Sequence, residues 1–239
     1  MLLGPKKFQV ASTLARYLPD KILTCLSDNS NCTIIPHQEK PMDKRVSRQY
    51  FNDLAATWDE TARNNDPEKL QALVRKLKLP ASGWILDVGT GTGVFLPYIS
   101  ESVNGGCHLV SMDFALNMVA IAKKKQADQE TNFICAEIES VRFNSELFDA
   151  VVCYSTFPHF HDKPLAIGNI YRCLKPGGSL YICHSASREQ INQIHSKIPD
   201  LKDHLIPDDQ NMKELLLTSG FVNTEINSEN DHYIVSAKK

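Results

Sequence analysis

The sequence lacks both an excess of charge of one sign and a long hydrophobic run. Its 239 residues include 26 Lys and Arg against 28 Asp and Glu, for a formal net charge of −2. The densest basic run, Lys123–Lys125, is too short for the broad basic surface that nucleic-acid binding requires, so we expect no nucleic-acid partner. No apolar stretch approaches the roughly 18 residues of a membrane-spanning helix, so we also expect no membrane span.

Paired cysteines are lacking too. The seven cysteines form an odd set without a C-x-x-C pair, and five of them lie in or beside apolar runs. This pattern is typical of reduced, buried thiols in a cytoplasmic protein, and it argues against disulfides and against a structural zinc site. We therefore expect a cytoplasmic location and no bound metal.

The first part of the chain differs from the remainder. Residues 1–41 combine two cysteines with the polar run Ser27–Asn31 and only a short amphipathic stretch. From residue 42 onward, helix and strand patterns follow one another without an internal repeat. We predict an irregular, dispensable N-terminal extension over 1–41 and a single domain over 42–239, because a chain of this length suffices for one sizeable core.

A helix with an aromatic face is predicted soon after residue 42. Val46, Tyr50, Leu54 and Trp58 recur every four residues, which is the spacing of one face of an α-helix. This spacing fits an ordinary packed helix and equally an aromatic helix that folds over a ligand cleft. On the second interpretation, Tyr50 and Trp58 are candidate substrate-binding residues.

Strands and helices alternate from residue 66 to the end. Asp66 and Pro67 are typical of a helix start. The strand candidates are 84–88, 109–112, 132–135, 149–154, 179–184, 222–226 and 233–237, and the main helices between them are 94–102, 115–128, 164–174, 187–197 and 210–218. This alternation predicts an α/β fold with a Rossmann-like, doubly wound, mostly parallel sheet. About six residues separate the last two strands, too few for a parallel crossover, so these strands should form an antiparallel hairpin.

The strongest local motif is a glycine-rich turn after the first of these strands. It reads Asp87-Val88-Gly89-Thr90-Gly91-Thr92-Gly93, and its glycines allow a ligand to approach the backbone closely. A dinucleotide site has the spacing G-x-G-x-x-G, whereas this loop has G-x-G-x-G. An acid at the strand end suits an ammonium group better than a pyrophosphate. The loop therefore favours S-adenosylmethionine over NAD, with an NAD-dependent oxidoreductase as the weaker alternative. The candidate cofactor-binding residues here are Asp87, Gly89, Thr90, Gly91 and Gly93.

Two further acids follow the next two strands. Asp113 ends the second strand, twenty-four residues after Gly89, close to the ~20-residue offset of a ribose-binding acid. Glu137 follows the third strand, where its carboxylate could accept a hydrogen bond from an adenine amino group. We add the neighbouring Phe114 and Ile138 to the candidate cofactor-binding residues, Ile138 as an apolar wall.

These motifs together resemble a known family. The chain resembles the class I S-adenosylmethionine-dependent methyltransferases, and it is most similar to their small-molecule branch, which includes the ubiquinone and menaquinone methyltransferases. The resemblance covers about residues 44–238 and rests on Tyr50-Phe51-Asn52, Trp58-Asp59-Glu60, Ile85 to Gly93, and Leu174-Lys175-Pro176-Gly177-Gly178. It implies a seven-stranded sheet with an antiparallel last strand. It also implies that Asp87 binds the methionine end of the cofactor, Asp113 the ribose hydroxyls, and Glu137 with Ile138 the adenine.

The sequence departs from the family pattern in places. Many relatives have Gly-Asp-Ala where this chain has Ala136-Glu137-Ile138, and Leu-Pro-Phe where it has Val141-Arg142-Phe143. The Asn-Pro-Pro-Tyr type of motif is absent after the fourth strand, where Tyr154–Phe160 stands instead. Methylation of DNA adenine or of glutamine is therefore not expected.

Histidines dominate the predicted acceptor side. His159 and His184 follow the fourth and fifth strands, and an imidazole that titrates near pH 6–7 is a suitable general base. Arg188, Asn192 and His195 share one face of the next predicted helix, so they are candidate substrate-binding residues. The competing interpretation is a solvated helix with histidines satisfied by backbone partners. A metal site is disfavoured because no carboxylate or cysteine joins the histidines at ligand spacing.

The sequence thus predicts a methyltransferase that moves a methyl group from S-adenosylmethionine to a small-molecule acceptor by in-line displacement. One alternative is a quinone-type C-methyltransferase. An alternative from a different class is a non-catalytic protein that binds an adenosyl ligand. Both a monomer and a homodimer are compatible with the sequence.

Overall fold

The computed structural model describes residues 41–61, 66–126 and 131–239. Apart from Pro41, the N-terminal extension predicted over 1–41 lies outside the described residues. The α-helices are α1 (Pro41–Leu54), α2 (Trp58–Thr61), α3 (Pro67–Lys76), α4 (Leu96–Ser102), α5 (Leu116–Lys125), α6 (Lys163–Cys173), α7 (Arg188–His195) and α8 (Asp209–Thr218). Short 3-10 helices cover Ala55–Thr57, Phe157–His159 and Pro199–Leu201. The strands are β1 (Gly83–Val88), β2 (Cys107–Asp113), β3 (Thr131–Cys135), β4 (Phe148–Tyr154), β5 (Leu174–His184), β6 (Val222–Glu229) and β7 (His232–Lys238).

All seven strands form one sheet in the order β3-β2-β1-β4-β5-β7-β6. Strands β1 to β5 are parallel, whereas β7 is antiparallel to both of its neighbours, β5 and β6. The predicted α/β fold with an antiparallel last strand is confirmed, and so is the hairpin of the last two strands. The strand order reverses between β1 and β4, which is where sheets of this kind bind ligands.

Local signals set several element boundaries. The Asp66 side chain accepts hydrogen bonds from the amides of Glu68 and Lys69, so it caps α3, and Pro67 occupies the first turn as predicted. Strand β6 continues to Glu229, three residues beyond the predicted end. Its polar residues are tolerated because β6 is an edge strand with mostly exposed side chains. Only two residues then join it to β7.

Apolar side chains pack on both faces of the sheet. Along β1, Leu86 and Val88 belong to the larger core cluster and Ile85 to the cluster on the opposite face, because successive strand residues point to opposite sides. A third, smaller cluster joins α1 to α5 through Phe51 and Met118. This last cluster lies beside the carboxyl ends of β1 and β2, so it attaches α1 to the ligand-binding edge.

The cysteines and helices agree with two expectations from composition. The five cysteines in the described residues are free thiols, and three of them, Cys153, Cys173 and Cys183, are buried. Within the described ranges, no helix has both the length and the apolar character needed to cross a membrane.

Candidate cofactor and acceptor site

The glycine-rich loop turns sharply at the carboxyl end of β1. Gly89, Gly91 and Gly93 have φ angles of 72°, 54° and 79°, in the left-handed region that glycine enters without steric cost. A Cβ atom at Gly89 would lie 2.0 Å from the Thr156 hydroxyl oxygen, whereas one at Gly91 would meet nothing within 4 Å. The first glycine therefore allows the loop to pack against the end of β4, and the second faces open space.

Two buried carboxylates stand beside this loop. Asp87 and Asp113 are 3% and 7% exposed. Asp113 accepts hydrogen bonds from the amides of Gly91 at 2.9 Å and Ala115 at 2.8 Å. Burial raises the pKa of Asp87 to about 7, with the charge of Asp113 adding to the rise, and burial raises the pKa of Asp113 to about 6.

Neither carboxylate has a cationic partner in the described part of the chain. A buried carboxylate without a countercharge is costly unless a ligand compensates it. An ammonium group and ribose hydroxyls would provide that compensation, and the open space beside Gly91 leaves room for a ligand against the loop. The residues present therefore fit S-adenosylmethionine.

Two adjoining pockets form a cleft along the loop. Their empty volumes, with the open solvent at their mouths included, are about 360 Å³ and 510 Å³. Both pockets are lined by Gly89, Asp113, Phe114, Thr156 and His159. The smaller also contacts Ala136, Glu137, Ile138 and His161, and the larger contacts Phe51, Trp58, Met118 and Tyr154. Hence most of the predicted cofactor residues line one cleft.

Glu137 has a partner that the sequence analysis missed. Its carboxylate forms a short ion pair with Arg48 of α1, and Ser140 donates a hydrogen bond to it at 3.3 Å. The Arg48 guanidinium also lies 5.9 Å from the centre of the Phe114 ring. Arg48 and Glu137 are 89 residues apart, so no local sequence signal could have paired them.

Helix α1 packs against the domain and covers the cleft at the same time. Phe51 places its ring 5.6 Å from Trp58, 5.7 Å from Phe114 and 5.0 Å from His159, measured between ring centres. Tyr50 packs edge-on against Phe51 at 5.3 Å. Both interpretations of the aromatic spacing thus hold together. Phe51 contacts more of the cleft residues than the predicted Tyr50 does.

Polar contacts connect the same segment to the glycine loop and to α5. Thr92 donates a hydrogen bond to Asp59 at 2.6 Å, and Asp59 also forms a short ion pair with Lys125. The amide of Asn117 donates to the Asn52 side chain at 2.9 Å. These contacts fix the covering segment to elements that surround the cleft.

His159 lies at the centre of the predicted acceptor side. Its Nδ1 is 3.0 Å from Nδ1 of His204, and its ring centre is 5.0 Å from that of His195. Burial lowers the pKa of His159 well below 6.5, and the neighbouring histidines and Lys163 add to this effect. His159 is therefore neutral at physiological pH. His204 was missed from the sequence because it lies 45 residues away.

The other predicted acceptor residues are placed differently. His184 is 2% exposed at the end of β5, and burial lowers its pKa to about 3. Asn192 exchanges two hydrogen bonds of 2.9 Å with the backbone of Ile206, and Arg188 pairs with Glu189. Neither Arg188 nor Asn192 lines the two pockets. Their contacts are those of the competing interpretation, since both are occupied within the protein.

One group of metal-type side chains occurs in the described residues, away from this cleft. Donor atoms of Glu229, Asp231 and His232 lie within 4.8 Å of one another at the β6–β7 hairpin. His232 contacts Asp231 at 2.7 Å, and the Lys76 ammonium lies 3.2 Å from its other ring nitrogen. A hydrogen bond from Lys76 of α3 to His232 and the contact of His232 with Asp231 account for this group.

Comparison with known proteins agrees with the geometry of the cleft. Residues 86–182 match the family model of a methyltransferase domain. The chain is 27% identical over 170 residues to a malonyl-[acyl-carrier protein] O-methyltransferase of Bacillus anthracis, covering 68% of this chain and 60% of that protein. It is 38% identical over 100 residues to a demethylmenaquinone methyltransferase of Thermus thermophilus, covering 41% of this chain and 45% of that protein.

A solved structure shares the fold. Phosphoethanolamine N-methyltransferase 2 of Haemonchus contortus, in complex with S-adenosyl-L-methionine, superposes with a TM-score of 0.67 at 17% identity, covering 86% of this chain and 61% of that one. The chain spans roughly half of the length of the two curated relatives above. The matched segment 86–182 contains the glycine loop, Asp113 and Glu137. Over residues 86–182 the chain is thus similar to the methyltransferase domain family, and its fold is that of solved S-adenosylmethionine-dependent methyltransferases.

Proposed function

We propose that this chain transfers a methyl group from S-adenosylmethionine to a small-molecule acceptor. The observation that carries the proposal is the pair of buried carboxylates, Asp87 and Asp113, beside a glycine loop that faces open space. Such a pair favours a ligand with one cationic end and several hydroxyl donors. A pyrophosphate would be repelled there, which argues against NAD.

Each part of the cofactor has a matching part of the cleft. Asp87 binds the ammonium group, directly or through water, and Asp113 accepts hydrogen bonds from the ribose hydroxyls. Glu137 and Ile138, in the smaller pocket, hold the adenine. Because Arg48 already pairs with Glu137, this carboxylate accepts from the adenine amino group with one oxygen while the other faces α1.

Methyl transfer then requires alignment more than proton transfer. The cofactor supplies an activated methyl group on a sulfonium sulfur. An acceptor lone pair would displace that methyl group in line, and the electrons of the broken carbon–sulfur bond would stay on sulfur. Phe51 and Trp58 exclude water from the larger pocket, and holding both reactants in line lowers the barrier. Where the acceptor must lose a proton, His159 takes it.

The residues that line the larger pocket indicate which kind of acceptor it would bind. Phe51, Trp58 and Tyr154 contribute aromatic surface there, and no Lys or Arg contacts this pocket in the described residues. This lining favours an acceptor with an uncharged, planar reacting end. It also favours a quinone-type C-methyltransferase as the second candidate function, in line with the named activity of the Thermus relative.

We further propose that the protein acts in the cytoplasm as a monomer or homodimer, without a nucleic-acid partner. The free thiols of the described cysteines fit a reducing compartment, and the net charge of −2 fits the absence of a polyanionic partner.

Mass spectrometry of gently purified protein tests the cofactor first. We expect retained S-adenosylmethionine or S-adenosylhomocysteine, and then methyl transfer from labelled cofactor to members of an acceptor panel of phenols, quinols, amines and carboxylic acids. Cofactor binding with no transfer to any acceptor class would support the non-catalytic alternative. Absence of both adenosyl ligands together with bound NAD would overturn the proposal.

A further inference from the structure

Histidines concentrate on the acceptor side of the cleft. The ring of His159 contacts those of His195 and His204, with ring centres 5.0 Å and 5.3 Å apart, and the ring of His204 also contacts that of His161 at 5.7 Å. The closest polar contact joins Nδ1 of His159 to Nδ1 of His204 at 3.0 Å. His204 is 8% exposed, and it does not line either pocket. It therefore reaches the cleft only through its neighbours.

We propose that His204 is a positioning residue, which accepts a hydrogen bond from Nδ1–H of His159 and thereby leaves Nε2 of His159 unprotonated for the acceptor. The proposal rests on the function proposed above. It assigns a role in the acceptor site to His204, which lies 45 residues after His159 in the sequence.

The short contact between two ring nitrogens limits the proton arrangements. Two lone pairs facing each other at 3.0 Å would repel, and two N–H groups would clash, so one nitrogen carries a proton and the other accepts it. If His159 is the donor, its neutral ring must bear its lone pair on Nε2. If His204 were the donor, His159 would present an N–H at Nε2 and could not act as a base there.

Contacts behind His204 hold it in place. Nδ1 of His195 forms a short hydrogen bond with the carbonyl oxygen of His204. Since a carbonyl only accepts, His195 is the donor in this bond. Three residues earlier on α7, Asn192 pairs twice with the backbone of Ile206. The polar face of α7 thus anchors the segment that carries His204, which gives the predicted Asn192–His195 stripe a structural purpose.

A neutral partner suits a base that must stay unprotonated. The titratable groups that face His159 are His184, His195, His204 and Lys163. None of them is a carboxylate, and Glu139, which lines the smaller pocket with His159, accepts a hydrogen bond from the amide of His161 at 2.9 Å. The proton taken from the acceptor would bind Nε2 of His159, while Nδ1–H stays hydrogen-bonded to His204 and the positive charge is shared along that bond.

Nuclear magnetic resonance of the full chain with ¹⁵N-labelled histidine tests this arrangement, since long-range proton–nitrogen correlations show which ring nitrogen carries the proton. The signals of His159 are assigned from the His159→Gln spectrum. We expect the Nδ1–H tautomer for His159 in the unsubstituted protein. In His204→Phe, which keeps a ring but no acceptor, we expect the Nε2–H tautomer to predominate. His204→Asn should restore Nδ1–H, because its amide oxygen accepts.

The matched control is His161→Phe, which removes a ring against His204 and should leave the tautomer of His159 unchanged. An Nε2–H tautomer in the unsubstituted protein, or the same tautomer with and without the acceptor at position 204, overturns the proposal. If His204→Phe does not fold, the unsubstituted protein and His204→Asn still decide it. Calorimetry of S-adenosylhomocysteine binding to the two His204 variants tests the proposed function separately, because His204 does not line the pockets.

Discussion

Two buried aspartates carry an electrostatic cost in the ligand-free protein. Asp87 and Asp113 lie buried side by side, and both resist ionisation in the ligand-free protein. Folding places them there without a compensating cation among the described residues. A ligand that brings a cation and hydroxyl donors recovers this cost, and for that reason buried acids with raised pKa values are typical of functional sites.

The raised pKa values predict how pH affects ligand-free stability. Their folded-state pKa values, about 7 for Asp87 and about 6 for Asp113, exceed that of an aspartate in an unfolded chain, about 3.9. The folded protein therefore binds more protons between about pH 4 and 7, and the contribution of these groups to stability falls as pH rises through that window. Melting temperatures at pH 5.5 and 8 should show this trend, and Asp87→Asn should weaken it.

The same groups predict the pH dependence of cofactor affinity. Because the cofactor is proposed to bind the ionised carboxylates, its affinity should be constant above about pH 8. As the pH decreases below the pKa of a carboxylate that must lose its proton, the affinity should fall by up to about tenfold per pH unit for that group. Calorimetry with S-adenosylhomocysteine between pH 5.5 and 8.5 measures this. Affinity that is flat across the range would mean that neither aspartate contacts the ligand.

His159 gives a prediction about turnover. If the acceptor must lose a proton, His159→Gln should lower turnover by about 10²–10⁴-fold with little change in cofactor affinity. A base is active only when unprotonated, so the acid limb follows its pKa. Since burial lowers that pKa, the limb should lie below the pH 6–7 expected from sequence. His108→Gln, an exposed histidine beside Trp84, is the control. Unchanged turnover at all pH values would reduce His159 to a packing role.

At the residue scale, the sequence predicts those site residues that belong to short local motifs. The glycine loop and the acids at strand ends are short motifs whose backbone demands can be recognised from a few neighbouring residues. The partners of Glu137 and His159 could not be recognised, because Arg48 and His204 lie 89 and 45 residues away and come close only in the folded chain. Arg188 and Asn192 have the spacing of one helix face. That spacing does not show whether the face points into the cleft or packs against another part of the chain.

At the element scale, α1 is the part that converts an open edge of the sheet into a covered cleft. It contacts the proposed adenine side through the pair of Arg48 with Glu137, and the proposed acceptor side through Phe51, whose ring packs against His159. The chain after it reaches the glycine loop through Asp59 and Thr92. These contacts hold α1 and the residues after it over the cleft.

Arg48→Met tests this covering role. Loss of the partly buried ion pair should cost about 1 kcal/mol, or roughly fivefold in cofactor affinity. Amide hydrogen exchange over residues 45–61 should also become faster, since the segment opens more often. Gln49→Ala is the matched control, because within the described ranges the Gln49 side chain hydrogen-bonds only to the exposed Asp53 on the same helix. Equal exchange and affinity in both variants would show that the pair does not hold the cover.

Helices and strands can be predicted where a capping residue or a regular spacing of apolar residues marks them. The Asp66 cap and the alternating strands are such cases. The start of β5 was missed because Lys175, Pro176 and Gly177 are typical of a turn, yet the structure continues the strand from Leu174, which pairs with Phe148 before a register shift. Residues 175–178 have no partners on β4 within this shift, and Gly177 has a φ of 76°, so the turn-type residues form a bulge inside the strand.

At the scale of the whole molecule, strand order determines where the site forms. The sequence predicts seven strands and a final hairpin, but it does not state that β7 inserts between β5 and β6. That order depends on which apolar faces meet, which only the folded chain settles. The reversal between β1 and β4 gathers Gly89, Asp113 and Thr156 at one edge of the sheet.

The N-terminal segment gives a further prediction at this scale. A chain of residues 42–239 contains every described contact of the cleft, so it should fold and bind S-adenosylhomocysteine as well as the full chain does. Thermal melts and calorimetry of the two chains provide the comparison. A clearly lower melting temperature of the shorter chain would show that residues 1–41 pack against the domain.

Calorimetry of cofactor binding tests the central claim most directly. S-adenosylhomocysteine should bind the full chain, and NAD should give no binding heat. Asp113→Ala should weaken S-adenosylhomocysteine binding by about 1–3 kcal/mol through the loss of charge-assisted hydrogen bonds, while the exposed Asp203→Ala should leave it unchanged. Tight binding of NAD, or equal affinity of the unsubstituted protein and Asp113→Ala for S-adenosylhomocysteine, would contradict the assignment.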